Sequence, residues 1–126
     1  MDKKEEKALK RVKQEIEKIN KKENNVFFFV LDTKGTPSGS LSYIYDLAMI
    51  AKNDGYKVSM LYQAIDKDDK FVGVKDWMGE EYANIPHYDI SKDDVEITPS
   101  DILFIPEIFS NVMNQTKKLP CKRIAI

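Results

Sequence analysis

Apolar residues along the chain follow two spacings, and these spacings predict the elements. The continuous apolar run at 26–31 is typical of a strand covered on both faces in a parallel sheet, and its β-branched and aromatic residues favour this over a buried helix. The strand-like run at 57–62 and the strongly apolar run at 101–107 predict two more strands. A helical pattern at 41–53 separates the first two runs and ends beside Gly55, which fits a left-handed helix stop. A strand, helix and strand joined this closely are predicted to form a right-handed crossover with parallel strands.

Weaker patterns complete the predicted sheet. Residues 85–90 are predicted to form a short edge strand, because Pro86 has no amide to donate to a ladder. Residues 108–118 can form a helix, and 122–126 are predicted to be a further strand. The polar segment 63–76 is predicted to be a surface connection, with a short strand possible near its end. These elements predict an α/β fold with a mainly parallel sheet between layers of helices.

The first 24 residues are predicted to be a charged amphipathic helix that precedes the α/β domain of residues 25–126. Leu9, Val12, Ile16 and Ile19 lie on one narrow stripe, and Lys and Glu fill the other faces. A helix this short is marginal alone in water, so the stripe must be covered. Two hypotheses remain open: it packs on its own domain, or it binds a partner chain in a homo- or hetero-oligomer.

Composition excludes several classes of protein. The chain has 126 residues, enough for one core, and a formal net charge of -1, which does not favour nucleic-acid binding. No apolar run is long enough for a transmembrane segment, and the charged start has no secretory signal core. A single cysteine, Cys121, suits a reducing compartment and predicts a cytoplasmic location. With one Cys and one His, neither a metal site nor a bound cofactor is expected.

The loop after the first strand is the main candidate for a binding site. Gly35, Ser38, Gly39 and Ser40 lie where a strand ends and a helix begins, and ligands bind at that edge of open α/β sheets. Free helix amides there can hold a phosphate or carboxylate, and a serine can cap them. The loop has neither GxGxxG nor a Gly-Lys-Ser/Thr ending, and plain turn chemistry is an equally open interpretation.

Three single residues are weaker candidates. Glu107 follows the third apolar run and can accept a hydrogen bond from a sugar hydroxyl, or can serve simply as an acidic residue at a helix start. His87 has a side chain suited to general base chemistry, but no partner at a readable spacing, so a structural role is favoured. Cys121 is interpreted as a packed or surface thiol.

Three stretches together resemble the N-terminal domain of a GT-B glycosyltransferase, nearest to the family 4 group. They are the strand Phe28–Asp32 with the loop Pro37–Ser40, the helix-to-strand passage Tyr45–Val58, and the strand Ser100–Glu107. Lys122–Ile126 is similar to the fifth strand of that family. The likeness covers about residues 26–126, and each motif is loose.

The resemblance implies a Rossmann-like three-layer sandwich, and the charged N-terminal helix lies outside the family pattern. It implies the acceptor-side half of an enzyme that transfers sugar from a nucleotide-sugar, with the 35–40 loop facing the donor diphosphate. Two features depart from the family. The paired glycines of its loop are replaced around Pro37-Ser38-Gly39. The C-terminal domain that binds the nucleotide-sugar is not in this chain, so it is the expected partner. The chain is therefore expected to be an incomplete domain and inactive alone. The alternative is a non-catalytic assembly domain of the same fold, interacting through its N-terminal helix.

Overall fold

The computed structural model describes residues 2–126, which form five strands and four α-helices. The elements are α1 (Lys3–Ile16), β1 (Asn25–Phe29), α2 (Gly39–Asn53), β2 (Lys57–Tyr62), α3 (Glu80–Ala83), β3 (His87–Asp89), β4 (Ile102–Ile105), α4 (Ser110–Gln115) and β5 (Lys122–Ala125). A short 3-10 turn, Glu107–Phe109, precedes α4.

The five strands form one parallel sheet in the order β3-β2-β1-β4-β5. Val26 is paired with Val58 on one side and with Ile102 on the other, so β1 is the central strand. All four residues 26–29 of this strand are buried, because helices or loops cover both faces of the sheet. The predicted α/β, Rossmann-like sandwich is confirmed.

Two hydrophobic clusters lie on opposite faces of the sheet. One contains Phe28 and Phe104, stacked with ring centroids 5.2 Å apart, beneath α1 and α2. The other contains Phe27 and Phe29, with Val112 of α4 packed against them. This alternation of phenylalanines between faces explains why the apolar run has no polar position.

The N-terminal helix packs on its own domain. Val12 and Ile16 are 1% and 3% exposed and belong to the same hydrophobic cluster as α2, while Leu9 and Ile19 are partly buried against it. Glu15, also buried, accepts a hydrogen bond of 2.8 Å from Nζ of Lys122 at the start of β5. The stripe predicted as a possible partner surface is thus covered by the chain itself, which leaves little of it for another protein.

Several predicted boundaries move. The strand predicted at 26–31 ends earlier in the structure, at Phe29, although the Val30 amide still donates to the Leu61 carbonyl at 2.9 Å. The helix predicted from Leu41 begins two residues earlier, at Gly39. No strand forms at 70–74, and the helix predicted at 108–118 is a 3-10 turn followed by the short α4.

Candidate functional site

The strand order places a crevice at the carboxyl ends of β1 and β4. The chain leaves β1 toward β2 through α2 on one face, and leaves β4 toward β5 through α4 on the other face. Connections that leave adjacent parallel strands in opposite directions open a crevice between them, and this is where open α/β sheets bind ligands. The 35–40 loop follows β1, and Glu107 follows β4, so the predicted site residues border this crevice from both sides.

The loop after β1 begins with a tight turn at Thr33–Thr36. The Thr36 amide donates to the Thr33 carbonyl at 3.1 Å, and the Thr33 hydroxyl donates to the Thr36 carbonyl at 2.6 Å. Lys34 and Gly35 have φ values of 56° and 84°. Positive φ at both central positions is the type I′ geometry, so Gly35 is required by the turn itself. Its role is structural, and no ligand is needed to explain it.

Asp32 fastens a second loop onto this turn. Its carboxylate accepts hydrogen bonds from the amides of Val72 at 2.7 Å, Gly73 at 3.1 Å and Lys34 at 3.2 Å. The side chain is only 5% exposed, and Nζ of Lys34 lies 3.3 Å from it. Both oxygens are occupied by the protein, so Asp32 acts as an anchor that holds residues 63–73, called here the docked loop, against the end of β1.

Lys34 strengthens the same junction from its other side. Its ammonium donates to the Asp69 carboxylate at 2.5 Å and to the Lys70 carbonyl. The hydrogen bond with Asp69 raises the pKa of Lys34 and lowers the pKa of Asp69. The docked loop is therefore held by a carboxylate of the β1 end and by the lysine two residues further on.

The first turn of α2 is left open. Ser38 occupies the N-cap position, but its side chain makes no capping hydrogen bond, contrary to the predicted cap. Ser40 is exposed, and a Cβ added at Gly39 would meet nothing within 4 Å. Packing therefore does not require a glycine at position 39, and the first amides of α2 have no side-chain cap, as at helix starts that bind anions.

Glu107 lies near the same helix. It is exposed, and its amide donates to the Ile126 carbonyl at 2.8 Å, which fixes the backbone at the end of β4. Burial raises the pKa of the Tyr43 hydroxyl, and the Glu107 carboxylate raises it further. Glu107 follows β4 and the start of α2 follows β1, so both lie at the carboxyl edge of the two neighbouring central strands.

Exposed large apolar side chains gather at this edge of the sheet. Among residues 2–126 they are Leu31, Ile65, Phe71, Val72 and Ile108. Each follows the carboxyl end of β1, β2 or β4. An apolar rim around a polar crevice is typical of a surface that another domain or a ligand covers.

His87 lies outside the loop and helix start that border the crevice, and it is partly buried with both ring nitrogens covered. Neither ring nitrogen has a hydrogen-bond partner among the described residues, and the same is true of Nε1 of Trp77. The rings of Tyr45 and Phe71 pack around the imidazole, with centroids 6.3 and 4.7 Å away. Burial lowers the pKa of His87, while the nearby Tyr82 carbonyl and the Asp32 carboxylate partly oppose that shift. The structure thus places His87 as a neutral packing residue.

Cys121 also lies away from the crevice. It is buried beneath the α4 face of the sheet, and burial raises the pKa of its thiol. A protonated, covered thiol is a poor nucleophile.

The sequence interpretation did not single out Asp32 and Lys34, which organise this edge. A usable signal was present, because an acidic residue directly follows a buried strand and therefore stands at the carboxyl edge of the sheet. Its partners are backbone amides 40 residues further along the chain, and no residue pattern marks them.

Comparison with known proteins does not identify a family for this chain. No family model, no curated protein and no solved structure matches the chain. Within residues 2–126, no helix is long and apolar enough to cross a membrane. The same part of the chain contains no group of three or more His, Cys, Asp or Glu side chains placed to hold a metal ion.

Proposed function

We propose that this chain is the acceptor-side half of a GT-B type glycosyltransferase, an enzyme that transfers sugar from a nucleotide-sugar. The observation that carries the proposal is the position of the open α2 start and Glu107 on the two sides of the β1–β4 crevice. In such an enzyme the helix start would face the donor diphosphate, and Glu107 would accept a hydrogen bond from a sugar hydroxyl.

The apolar rim supports a second domain at this edge. Leu31 and Ile108 stand beside the crevice from β1 and β4, and both are about half exposed. A second Rossmann-like domain facing the crevice would bury them and would exclude water from the transfer reaction. This chain alone is then proposed to be inactive, because the nucleotide-binding wall of the site belongs to that domain.

The first test is the gene beyond codon 126. We expect coding sequence for a second Rossmann-like domain, either in frame or as a separate chain that copurifies. An immediate stop codon, together with a purified protein that has no such partner, would overturn the proposal.

The second test is transfer by the complete protein. We expect release of nucleoside diphosphate from one member of a panel of nucleotide-sugars, and we expect Glu107→Gln to reduce this release at least about tenfold, the loss of roughly one charge-assisted hydrogen bond. The matched control is Glu96→Gln, since Glu96 is exposed near the opposite edge of the sheet. Equal activity of the two variants would remove Glu107 from the site.

A further inference from the structure

The docked loop covers the imidazole of His87. The ring of Phe71, which belongs to this loop, has its centroid 4.7 Å from that of the His87 ring and 4.8 Å from that of Tyr62. A Cβ at Gly73 would lie 2.9 Å from Cε1 of Phe71, so this ring also packs against the Gly73 backbone. The Gly73 amide donates to the Asp32 carboxylate. The anchor of the loop and the ring that covers His87 are therefore adjacent, and they move together when the loop undocks.

The docked state does not accommodate a proton on this imidazole. Nδ1 and Nε2 of His87 are both covered, and neither has a hydrogen-bond partner among residues 2–126. An imidazolium needs two acceptors, and burial of its charge without them is unfavourable. Burial is the main influence on the pKa of His87, and it lowers this pKa. The Tyr82 carbonyl favours the protonated ring, but it already accepts from the Ile85 amide at 3.2 Å.

The tyrosines around the ring are neutral and do not compensate the charge. On α2, Tyr45 lies beside the imidazole with ring centroids 6.3 Å apart, and burial raises the pKa of its hydroxyl. Burial also raises the pKa of Tyr62 on β2. On α3, the Tyr82 hydroxyl donates to the Asp46 carboxylate at 2.8 Å, and this hydrogen bond raises the pKa of Tyr82.

Asp32 is the one charged group among the described residues that acts on the His87 ring. Its carboxylate at the end of β1 favours the imidazolium. The same carboxylate lies 3.3 Å from Nζ of Lys34 and accepts from three backbone amides. These partners share its charge, so Asp32 reduces the cost of a proton on His87 but does not remove it.

We propose that the docked loop is a lid that opens when His87 takes up a proton. Undocking removes Phe71 from the imidazole and lets water solvate both nitrogens, so the open loop favours the imidazolium and the docked loop favours the neutral ring. A fall in pH therefore shifts the loop toward the open state. Opening exposes the rings of His87 and Tyr62 and frees the turn at Thr33–Thr36, which leads to the crevice. The lid does not depend on the proposed transferase, because its readouts are a titration and a conformational equilibrium.

NMR of the 126-residue chain tests both halves of this linkage. His87 is the only histidine, so its ring resonances report the protonation state directly, and we expect its pKa below the 6.5 of a free histidine. Below that pH, each unit increases the ratio of open to docked loop by up to about tenfold. Protection of the Val72 and Gly73 amides, corrected for the intrinsic exchange rate at each pH, should therefore fall about tenfold between pH 7.5 and 5.5.

Two results of this experiment contradict the lid. One is protection at Val72 that changes less than twofold while His87 becomes protonated. The other is protection at Val72 equal to that at Phe28 of the central strand, because exchange would then require unfolding of the whole domain. We expect Val72 to be less protected than Phe28 at both pH values.

Three substitutions assign the effect to the contact between Phe71 and His87. Phe71→Ala uncovers the imidazole, and we expect the pKa of His87 to rise toward 6.5. Ile65→Ala is the matched control, since Ile65 is an apolar residue of the same loop and is 95% exposed, and we expect no change in that pKa. The same His87 pKa in both variants would refute the covering role of Phe71. His87→Phe removes the titrating group, so protection at Val72 should stay within twofold between pH 7.5 and 5.5; a tenfold fall in this variant would assign the opening to another group and overturn the proposal.

Discussion

Removal of the Asp32 carboxylate should release the docked loop from the end of β1. In Asp32→Ala the amides of Val72, Gly73 and Lys34 lose the acceptor that lies 2.7–3.2 Å from them. A hydrogen bond to a charged group contributes about 1.5–3 kcal/mol when its partner is left unsatisfied. Val72 and Lys34 are exposed, so water replaces most of that contribution at two of the three amides.

The buried Gly73 amide sets the magnitude. Loss of the Gly73 hydrogen bond costs free energy at the lower end of this range, and the two exposed amides add smaller amounts. Together they lower the free energy that holds the docked loop in place by about 2 kcal/mol. This free energy corresponds to about a thirty-fold larger population of the undocked loop. The global free energy of unfolding should fall less, because most of the docked loop is exposed and contributes little to either hydrophobic cluster.

Amide hydrogen exchange resolved by NMR measures this population directly. We expect exchange at Val72 and Gly73 to be about thirty times faster in Asp32→Ala than in the unsubstituted chain. Asp66→Ala is the matched control, because Asp66 is exposed in the same loop and its carboxylate accepts from the Asp68 amide within that loop, at 2.9 Å. Equal exchange rates at Val72 in the two variants would refute the anchoring role of Asp32.

Three further predictions concern glycines and buried ionisable groups. Gly35→Ala should lower the free energy of unfolding by about 1–2 kcal/mol, because position 35 has a φ of 84°. Gly39→Ala should be neutral or slightly stabilising. Equal urea midpoints for these two variants would contradict the turn at Thr33–Thr36. Burial lowers the pKa of His87, so the unfolded chain binds a proton at higher pH than the folded chain, and the free energy of unfolding should decline as pH falls below 6.5. In His87→Phe this free energy should decline less between pH 7 and about 5.5. The same pH dependence in both proteins would count against this. The hydrogen bond from Lys122 lowers the pKa of Glu15, against the effect of its burial, so the stabilisation by this pair is present above pH 4.5 and is lost as pH falls further. Lys122→Met should therefore lose less of its free energy of unfolding in acid. The same acid dependence in the variant and the unsubstituted chain would exclude a stabilising pair.

The sequence was sufficient for the sheet because the signals are local. The run at 57–62 carries its strand identity in its own side chains, and its predicted bounds match β2. Pro86 predicted an edge position, and β3 is indeed the outer strand beside β2. Both inferences depend on rules that hold within a few residues.

The helix start and the docked loop could not be predicted in the same way. Ser38 has the residue type of a cap and occupies the cap position, yet its side chain makes no capping hydrogen bond. Asp32 takes its partners from residues 72 and 73, a contact that depends on how the connection after β2 folds back over the sheet. Residue type therefore limits what a side chain can do, while tertiary contact decides what it does.

Carboxylates at both edges of the sheet accept hydrogen bonds from backbone amides, but two polar side chains near the β1–β4 crevice do not have such partners. At the amino edge, Asp101 accepts from the amides of Asn25 at 2.7 Å and Thr98 at 2.8 Å, and Lys122 pairs with a buried glutamate. At the carboxyl edge, Asp32 is fully hydrogen-bonded, whereas the side chains of Ser38 and Glu107 have no partner among the described residues. A helix start without a side-chain cap is unfavourable for the isolated chain, and natural sequences accept such costs mainly at functional sites. A ligand or a second domain at the β1–β4 crevice would supply partners for both groups, which is the arrangement that the proposed function requires.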